Sequence, residues 1–347
     1  MVDGIEVKLG QMVMVGFRGA EPAECDEFLR SLRDRPLAGV WLTDNDSPMG
    51  YTHGNIRSPE QVRRLTADLQ RAAAVPLFIS IDAEGGQTIR LKERYGFARF
   101  ASPRDLGERN DPAFTRAEAR RLAGTLKECG INFNFAPVLD VNRNPANPII
   151  AAKGRSFSPD AAVVARHAAE FIEAHHEAGI LCAGKHFPGH GSSTTDSHKG
   201  AVDVTDTWDD VELLPYRHLI QRGVLDAVLT AHVRLRQLDP HLPATLSEKI
   251  VTGLLREQLG FDGLVFTDDL NMGAIQSNYT LEQSVELCVQ AGADVLVHAN
   301  VMAYDRDIAR RTVAILQQLV ESGRLGEARV DRSYQRVMRL KRRLGLL

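Results

Sequence analysis

The chain is poor in cysteine. Cys25, Cys129, Cys182 and Cys288 are scattered over 347 residues and no C-x-x-C occurs, so no disulfide framework is expected. The four read as small apolar residues of a reducing compartment. There is no basic block either: 42 Lys and Arg against 45 Asp and Glu leave a formal net charge of -3. That offers no electrostatic footprint for nucleic acid or an anionic membrane, and neither partner is expected. No apolar run reaches the length of a membrane span, and the first ten residues, MVDGIEVKLG, lack a basic segment followed by an apolar core. The expected location is therefore the cytoplasm. A G-x-G-x-x-G fingerprint is missing after the first strand candidate, which argues against a dinucleotide-binding fold. No Pro/Ser linker or low-complexity tract divides the chain.

What is present is an ordinary globular composition, 44% hydrophobic and 25% charged, long enough to bury roughly three quarters of its unfolded surface. Short runs rich in Val, Ile, Leu and Phe alternate with longer amphipathic segments, the pattern of repeated β-α units. Strands are expected over Met12–Phe17, Gly39–Thr43, Leu77–Ile81, Ile131–Ala136, Ile180–Ala183, Ala227–Thr230, Leu264–Thr267 and Val295–His298. Helices are expected between them, with Ser58-Pro59 and Ser158-Pro159 as cap-then-first-turn starts. A final basic amphipathic segment, Gly326–Leu344, is expected outside the barrel as an extra helix with a solvated charged face. Eight such units favour an α/β fold, a single (β/α)8 barrel over residues 1–347 with an extra C-terminal helix. Polar residues fall where such barrels place chemistry, at or just past strand ends: Asp44 and Asn45, Asp82, Asp140, Lys185 and His186, His232, Asp268, and His298 with Asn300.

The densest chemistry lies in Lys185–His198, K-H-F-P-G-H-G-S-S-T-T-D-S-H, which is too rich in Gly and Pro to be a helix. Asp196 and His198, one residue apart, form the outline of a dyad in which a carboxylate orients an imidazole and raises its basicity. Gly184, Gly189 and Gly191 suggest a backbone free to move. His186 and His190 have the i, i+4 spacing of zinc-binding helices, but Pro188 lies between them and there is no H-E-x-x-H, so no metal is assigned. In F-T-D-D-L-N-M, Phe266–Met272, alternation keeps Asp268 and Asp269 from sharing one pocket if the strand persists that far. One is a candidate nucleophile and the other is structural. In I-D-A-E-G-G-Q-T-I-R, Ile81–Arg90, Asp82 could accept from two vicinal hydroxyls, and Arg90 could hold substrate or pin Asp82. The Pro/Asn-rich segment Val141–Pro148 either shapes the site that receives a leaving group or is a rigid turn. His167 and His175 lie near the apolar face of their helix and read as packing residues, whereas His232 is placed to touch substrate.

Together these residues resemble the family 3 glycoside hydrolases, in particular their single-barrel β-N-acetylglucosaminidases of the NagZ type. The motifs that carry the resemblance are K-H-F-P-G-H-G…D-S-H, D-x-E-G-G…R at Asp82–Arg90, F-A-P-V-L-D-V-N at Phe135–Asn142, G-R-S-F at Gly154–Phe157 and T-D-D-L-x-M around Asp268. The resemblance implies a retaining β-N-acetylhexosaminidase acting on a small carbohydrate substrate without a cofactor. Asp268 would form a covalent glycosyl-enzyme, and His198 would serve as acid and then base, oriented by Asp196. Asp82, Arg90, Arg155, Lys185 and His186 would hold the sugar hydroxyls, and a peptidoglycan fragment is the favoured substrate. Ala83 stands where relatives often carry Gln, and Gln87 where many carry Arg, which bears on substrate preference. An imidazole acid/base, with an ordinary pKa near roughly 6.5, avoids repulsion between a second carboxylate and an anionic acceptor, so phosphorolysis is an alternative on the same scaffold. A metal-dependent hydrolase using His186, His190, Asp196 and His198, and a non-catalytic sugar-binding barrel, are the readings from other classes.

Overall fold

The computed structural model describes residues 4–44, 54–198, 200–301 and 304–347. Asn45, one of the strand-end candidates, lies outside them. The main sheet has eight strands: β1 Val13–Gly16, β2 Gly39–Leu42, β3 Phe78–Ile81, β4 Phe133–Asn134, β5 Leu181–Phe187, β6 Ala227–Thr230, β7 Leu264–Phe266 and β8 Leu296–His298. Every neighbouring pair is parallel, from Met14 opposite Gly39 to Leu264 opposite Ala227. β1 pairs with β8 through Val13 and Leu296, and the bridge from Phe266 to Val295 closes the ring between β7 and β8. This is the (β/α)8 barrel expected from the repeat of strand and helix periods.

Alternation along each strand divides the apolar residues between two cores. Met14, Trp41, Phe78, Phe133, Leu181, Leu229 and Phe266 fill the barrel interior. There Phe133 and Phe135 meet Phe266 edge-on, with ring centroids 5.2 Å and 5.3 Å away. Val13, Val15, Val40, Leu42, Ile79, Ile81, Val228 and Val265 join the outer core under the helices. Capping follows local chemistry. Ser58 Oγ accepts from Gln61 N at the helix Pro59–Ala72, whereas the expected start at Ser158-Pro159 is displaced. That helix runs Ala161–Glu177 with Asp160 as its cap. Ser158 is held outside because its carbonyl accepts from Asn142 N and Ser156 Oγ, while its own hydroxyl accepts from Asp160 N.

The segment after β6, Lys249–Gln258, is π-wound, and the helix after β8 starts at Ile308. Among the described residues, three α-helices lie outside the expected segments: Ile5–Gly10, Pro103–Arg109 and the short Gly273–Gln276. The last helix, Glu327–Arg343, departs from expectation. Val337, Met338 and Leu340 belong to the barrel's interior core, so this helix covers the end of the barrel rather than lying outside it. Its basic face is paired rather than merely solvated: Arg336 and Arg339 reach Asp262, Arg336 also reaches Asp294, and Arg343 reaches Asp226. Among the described residues, no helix is long and apolar enough to cross a membrane.

Candidate active site

The site lies at the carboxyl ends of the strands, where side chains from β3, β5 and β7 converge on the barrel mouth. Past β3, Asp82 and Glu84 are two residues apart and both reach Lys185 of β5. Lys185 Nζ is 2.7 Å from Asp82 Oδ1 and 2.7 Å from Glu84 Oε1. Arg155 grips Glu84 with both arms, Nε to Oε2 at 2.8 Å and Nη2 to Oε1 at 2.7 Å. Arg90 donates to Asp82 Oδ2 at 3.2 Å and lies 3.6 Å from Asp44. Burial pushes both carboxyls upward but is outweighed. Lys185 and Arg90 hold Asp82 well below the usual carboxylate range, and Arg155 and Lys185 lower Glu84. Glu84 escaped the sequence reading, although its spacing from Asp82 would have placed it on the same face of an extended segment.

Asp140, just past β4, organises the first half of the Lys185–His198 segment. Its Oδ2 accepts from His186 Nδ1 at 2.7 Å, and its Oδ1 accepts from the backbone N–H of His190 at 2.7 Å and of His186 at 3.2 Å. His186 Nε2 is 3.3 Å from Arg155 Nη2. These partners assign the proton to Nδ1, leaving Nε2 as the acceptor. The partners of Asp140 are 46 and 50 positions away, a pairing that only the fold reveals.

The glycines here reverse an expectation. A Cβ at Gly191 would lie 1.7 Å from Val141 O, at Gly189 2.5 Å from Glu212 Oε2, and at Gly184 2.5 Å from Leu139 Cδ1. They serve close approach rather than freedom of movement. Val141–Pro148 likewise acts as a brace: Asn147 Nδ2 donates to His190 O at 2.8 Å, and Asn144 Nδ2 to Ser193 O at 2.9 Å.

At the far end of the segment, His198 Nδ1 is 2.8 Å from Asp196 Oδ1, which also accepts from His198 N at 3.0 Å. The bond to the imidazole takes the Asp196 carboxyl down to about 2. Across the mouth, Asp268 Oδ1 accepts from Asp269 N at 2.8 Å. Burial raises the Asp268 carboxyl, but the neighbouring His232, His186 and His198 more than compensate, and its pKa falls below the ordinary value. Asp269 faces elsewhere: its Oδ1 accepts from Asn271 N at 3.1 Å and Ala299 N at 2.9 Å, and burial lifts it to about 7. His232 is the residue whose expected contact with substrate the geometry revises. Both ring nitrogens are engaged by protein, Nδ1 with Thr245 Oγ1 at 2.9 Å and Nε2 with Asp269 O at 3.0 Å, so it supports the Asp268-Asp269 turn from behind. His298 and Asn300 are also structural. His298 Nε2 meets Thr312 Oγ1 at 3.0 Å, and Asn300 Nδ2 donates to Gly16 O and Asp305 O. His167 and His175 sit buried against Thr115 and Asn134.

Among the described residues, no group of three or more His, Cys, Asp or Glu side chains is arranged to hold a metal ion. The donors of the metal reading are committed elsewhere: His186 to Asp140 and Arg155, and His190 to two serines, Ser193 Oγ at 2.7 Å and Ser197 Oγ at 3.2 Å.

Glu212, also unread in the sequence, lies fully buried beneath this segment, its Oε2 accepting from Gly191 N at 2.9 Å. Burial, with the charge of Asp140 adding, lifts its carboxyl to about 8. An acid whose pKa is raised by folding is protonated in the native state and ionised in the unfolded chain between the two values, so stability falls as pH rises from about 4.5 to about 8. Glu212→Gln keeps an acceptor for Gly191 and removes that titration. Its Tm relative to wild type is expected to improve by roughly 5 °C between pH 5 and pH 8. Paired thermal melts check this, and because Asp269 titrates in both proteins it cancels from the difference.

A cleft of about 590 Å³ is lined by Gly86, Gln87, Arg99, Arg104, Lys153 and Gly154 among others, and none of Asp196, His198 and Asp268 lines it. Lys153 of its lining adds a small lowering effect on the Asp196 carboxyl.

The site can be compared with known proteins. The family model described as glycosyl hydrolase family 3 N terminal domain matches residues 4–340. A curated relative, beta-hexosaminidase A of Pseudoalteromonas piscicida, is 32% identical over 97% of this chain and 60% of its own length. A solved family 3 beta-N-acetylglucosaminidase from Paenibacillus sp. str. FPU-7 superposes with a TM-score of 0.90 and 37% identity, over 99% of this chain and 63% of that one. The beta-N-acetylhexosaminidase of Beutenbergia cavernae gives a TM-score of 0.87 and 31% identity over 98% of both chains. This chain thus spans less than two thirds of the first two relatives and nearly all of the third. With the barrel, the strand-end carboxylates and the matched span in agreement, the chain belongs to glycosyl hydrolase family 3.

Proposed function

We propose that this chain is a retaining β-N-acetylhexosaminidase that releases terminal N-acetylglucosamine from β-linked glycosides, and that the barrel over residues 1–347 is one domain carrying the whole activity. The observation that carries the reading is the His198-Asp196 pair facing Asp268. With Nδ1 donating to Asp196 at 2.8 Å, Nε2 is the ring nitrogen left for a substrate oxygen, and the His198 charge is felt at the Asp268 carboxylate. In the first step, Asp268 attacks the anomeric carbon while His198 Nε2–H protonates the departing glycosidic oxygen. In the second, neutral His198 takes a proton from water, the water oxygen bonds to the anomeric carbon, and the Asp268 carboxylate departs. The sugar hydroxyls are held by the Asp82, Arg90 and Lys185 cluster, with Arg155 and His186 behind it. The cleft lined by Gln87 and Lys153 receives the leaving group.

The names of the two solved relatives, a beta-N-acetylglucosaminidase and a beta-N-acetylhexosaminidase, support N-acetylated sugar as the substrate class. The NagZ-like motifs favour a peptidoglycan fragment. Four buried, unpaired cysteines fit work in the cytoplasm.

The test compares an aryl N-acetyl-β-glucosaminide with the matching β-glucoside, with and without EDTA and phosphate, in wild type and His198→Ala. Preferential cleavage of the acetylated substrate, indifferent to both additives and reduced about 10²- to 10⁴-fold in the variant, is the expected result. Loss with EDTA returns the loop histidines to a metal role. A phosphate-dependent sugar phosphate product means phosphorolysis, and binding without turnover means a sugar-binding barrel.

A further inference from the structure

Packing divides Lys185–His198 into two unlike halves. The first is built into the barrel by the close-packed glycines, by Asp140 and Glu212 accepting its N–H groups, and by Asn147. The second begins at the exposed Thr194 and Thr195 and carries the dyad. Among the described residues, it is tied to the rest of the protein by three hydrogen bonds. Two are at the long end of the range, Gly273 N to His198 O and Ala274 N to Ser197 O, both 3.3 Å. The third links the halves: Ser197 Oγ lies 3.2 Å from His190 Nε2, and both residues are 2% exposed.

The direction of that bond follows from its neighbours. Ser193 Oγ donates its proton to His190 O at 2.9 Å and accepts from Asn147 Nδ2 at 3.0 Å. It can therefore only accept at its 2.7 Å contact with His190 Nδ1. Nδ1 carries the ring proton, Nε2 is a bare lone pair, and Ser197 is the donor. The imidazole stays neutral, because burial lowers it to about 4. Asn147 thus sets the polarity of a chain, through Ser193 and His190, that ends on the residue between Asp196 and His198.

We propose that Ser197 and His190 form a latch that holds the acid/base dyad in register with Asp268, acting as positioning residues for proton transfer. The proposal rests on the dyad assignment above. A hydroxyl buried against a fixed acceptor anchors Ser197, and the neighbours on either side of it are the two members of the dyad. Releasing it lets His198 drift, and misplacement by about 1 Å costs on the order of 10²-fold in a step that needs the group.

The test uses Ser197→Ala and Ser197→Thr, the second retaining the donor. For substrates with poor leaving groups, Ser197→Ala is expected to lower kcat/KM by about 10- to 100-fold. For a strongly activated aryl leaving group, which needs little protonation, the first step is expected to change far less. Inhibition by N-acetylglucosamine should be unaltered because the sugar-holding cluster is untouched, and Ser197→Thr should regain most of the loss. Unchanged kinetics in Ser197→Ala, or a loss equal for all leaving groups and not rescued by threonine, overturns the latch. If His198→Ala is itself fully active, the dyad assignment fails instead, so the two failures are distinguishable.

Discussion

Asp268→Ala is expected to lower kcat by at least about 10⁴-fold while the protein remains folded, because the first bond-forming step loses its nucleophile outright. Asp268 is suited to that step. Its pKa lies below the ordinary value, and its backbone is steadied by its neighbour, since Asp269 Oδ1 takes the N–H groups of Asn271 and Ala299 and Asp269 O takes His232. The loss should appear in kcat rather than in binding, since no sugar-holding side chain is removed. Wild type quenched during turnover of a slow substrate should carry one added glycosyl mass on the peptide containing Asp268. Retention of more than a few per cent of activity in the variant, or the mass on another peptide, would remove Asp268 from the role. Asp269→Asn is the control. It is expected to keep the nucleophile and to change mainly thermal stability.

Arg155→Met should destabilise the fold by about 3–5 kcal/mol, the cost of leaving a buried charge without its partner. Arg155 belongs to the set expected to hold sugar hydroxyls, yet its donors are largely spent on protein: two on Glu84, one on Ile149 O at 3.2 Å, and one facing His186 Nε2. Glu84 is fully enclosed and has Lys185 as its other cation. Removing the guanidinium leaves Glu84 with the Lys185 ammonium alone, which it shares with Asp82, whereas Asp82 also keeps Arg90. Glu84→Gln/Arg155→Met should recover part of the loss, and the non-additivity gives the coupling between the pair. Urea melts of the four proteins decide the matter. A variant with normal stability and only a raised KM would make Arg155 chiefly a substrate ligand.

The barrel was legible because its information is periodic and local. Each strand reads as an apolar run and each helix as a stripe, and Asp82, Lys185 and Asp268 appear where those runs end. Asp268 and Asp269 do part company, but the strand stops at Phe266, and the separation comes from the turn in which Asp269 takes the N–H groups of Asn271 and Ala299 rather than from alternation. What escaped depends on contacts between distant segments. Glu84 is an ordinary acid until Arg155, 71 positions later, closes on it. Glu212 carries no motif, and Asn147 reads only as part of a Pro/Asn-rich segment; they matter because the fold lays Gly191 and His190 against them. Gly189 and Gly191 look like hinges in a sequence because what they admit, the Glu212 side chain and the Val141 backbone, is invisible there. The final helix was misplaced for the same reason, since Asp226, Asp262 and Asp294 are far from its arginines along the chain.

That final helix also stitches the beginning of the chain to its end. Lys8 pairs with Asp331 at 2.6 Å, and Lys341 Nζ, buried over the Phe78 ring, donates to Gln11 at 2.6 Å across 330 positions. The first strand meanwhile waits for the eighth to close the ring. During synthesis at about 5–20 residues per second, β1 must remain unpaired on its outer edge for roughly 15 to 60 s before its last neighbour exists. For that interval the growing chain is an open sheet with an exposed edge. The protein's exposure to misassembly is thus greatest before translation finishes, and a holdase acting on the nascent chain should raise its yield more than one added after release.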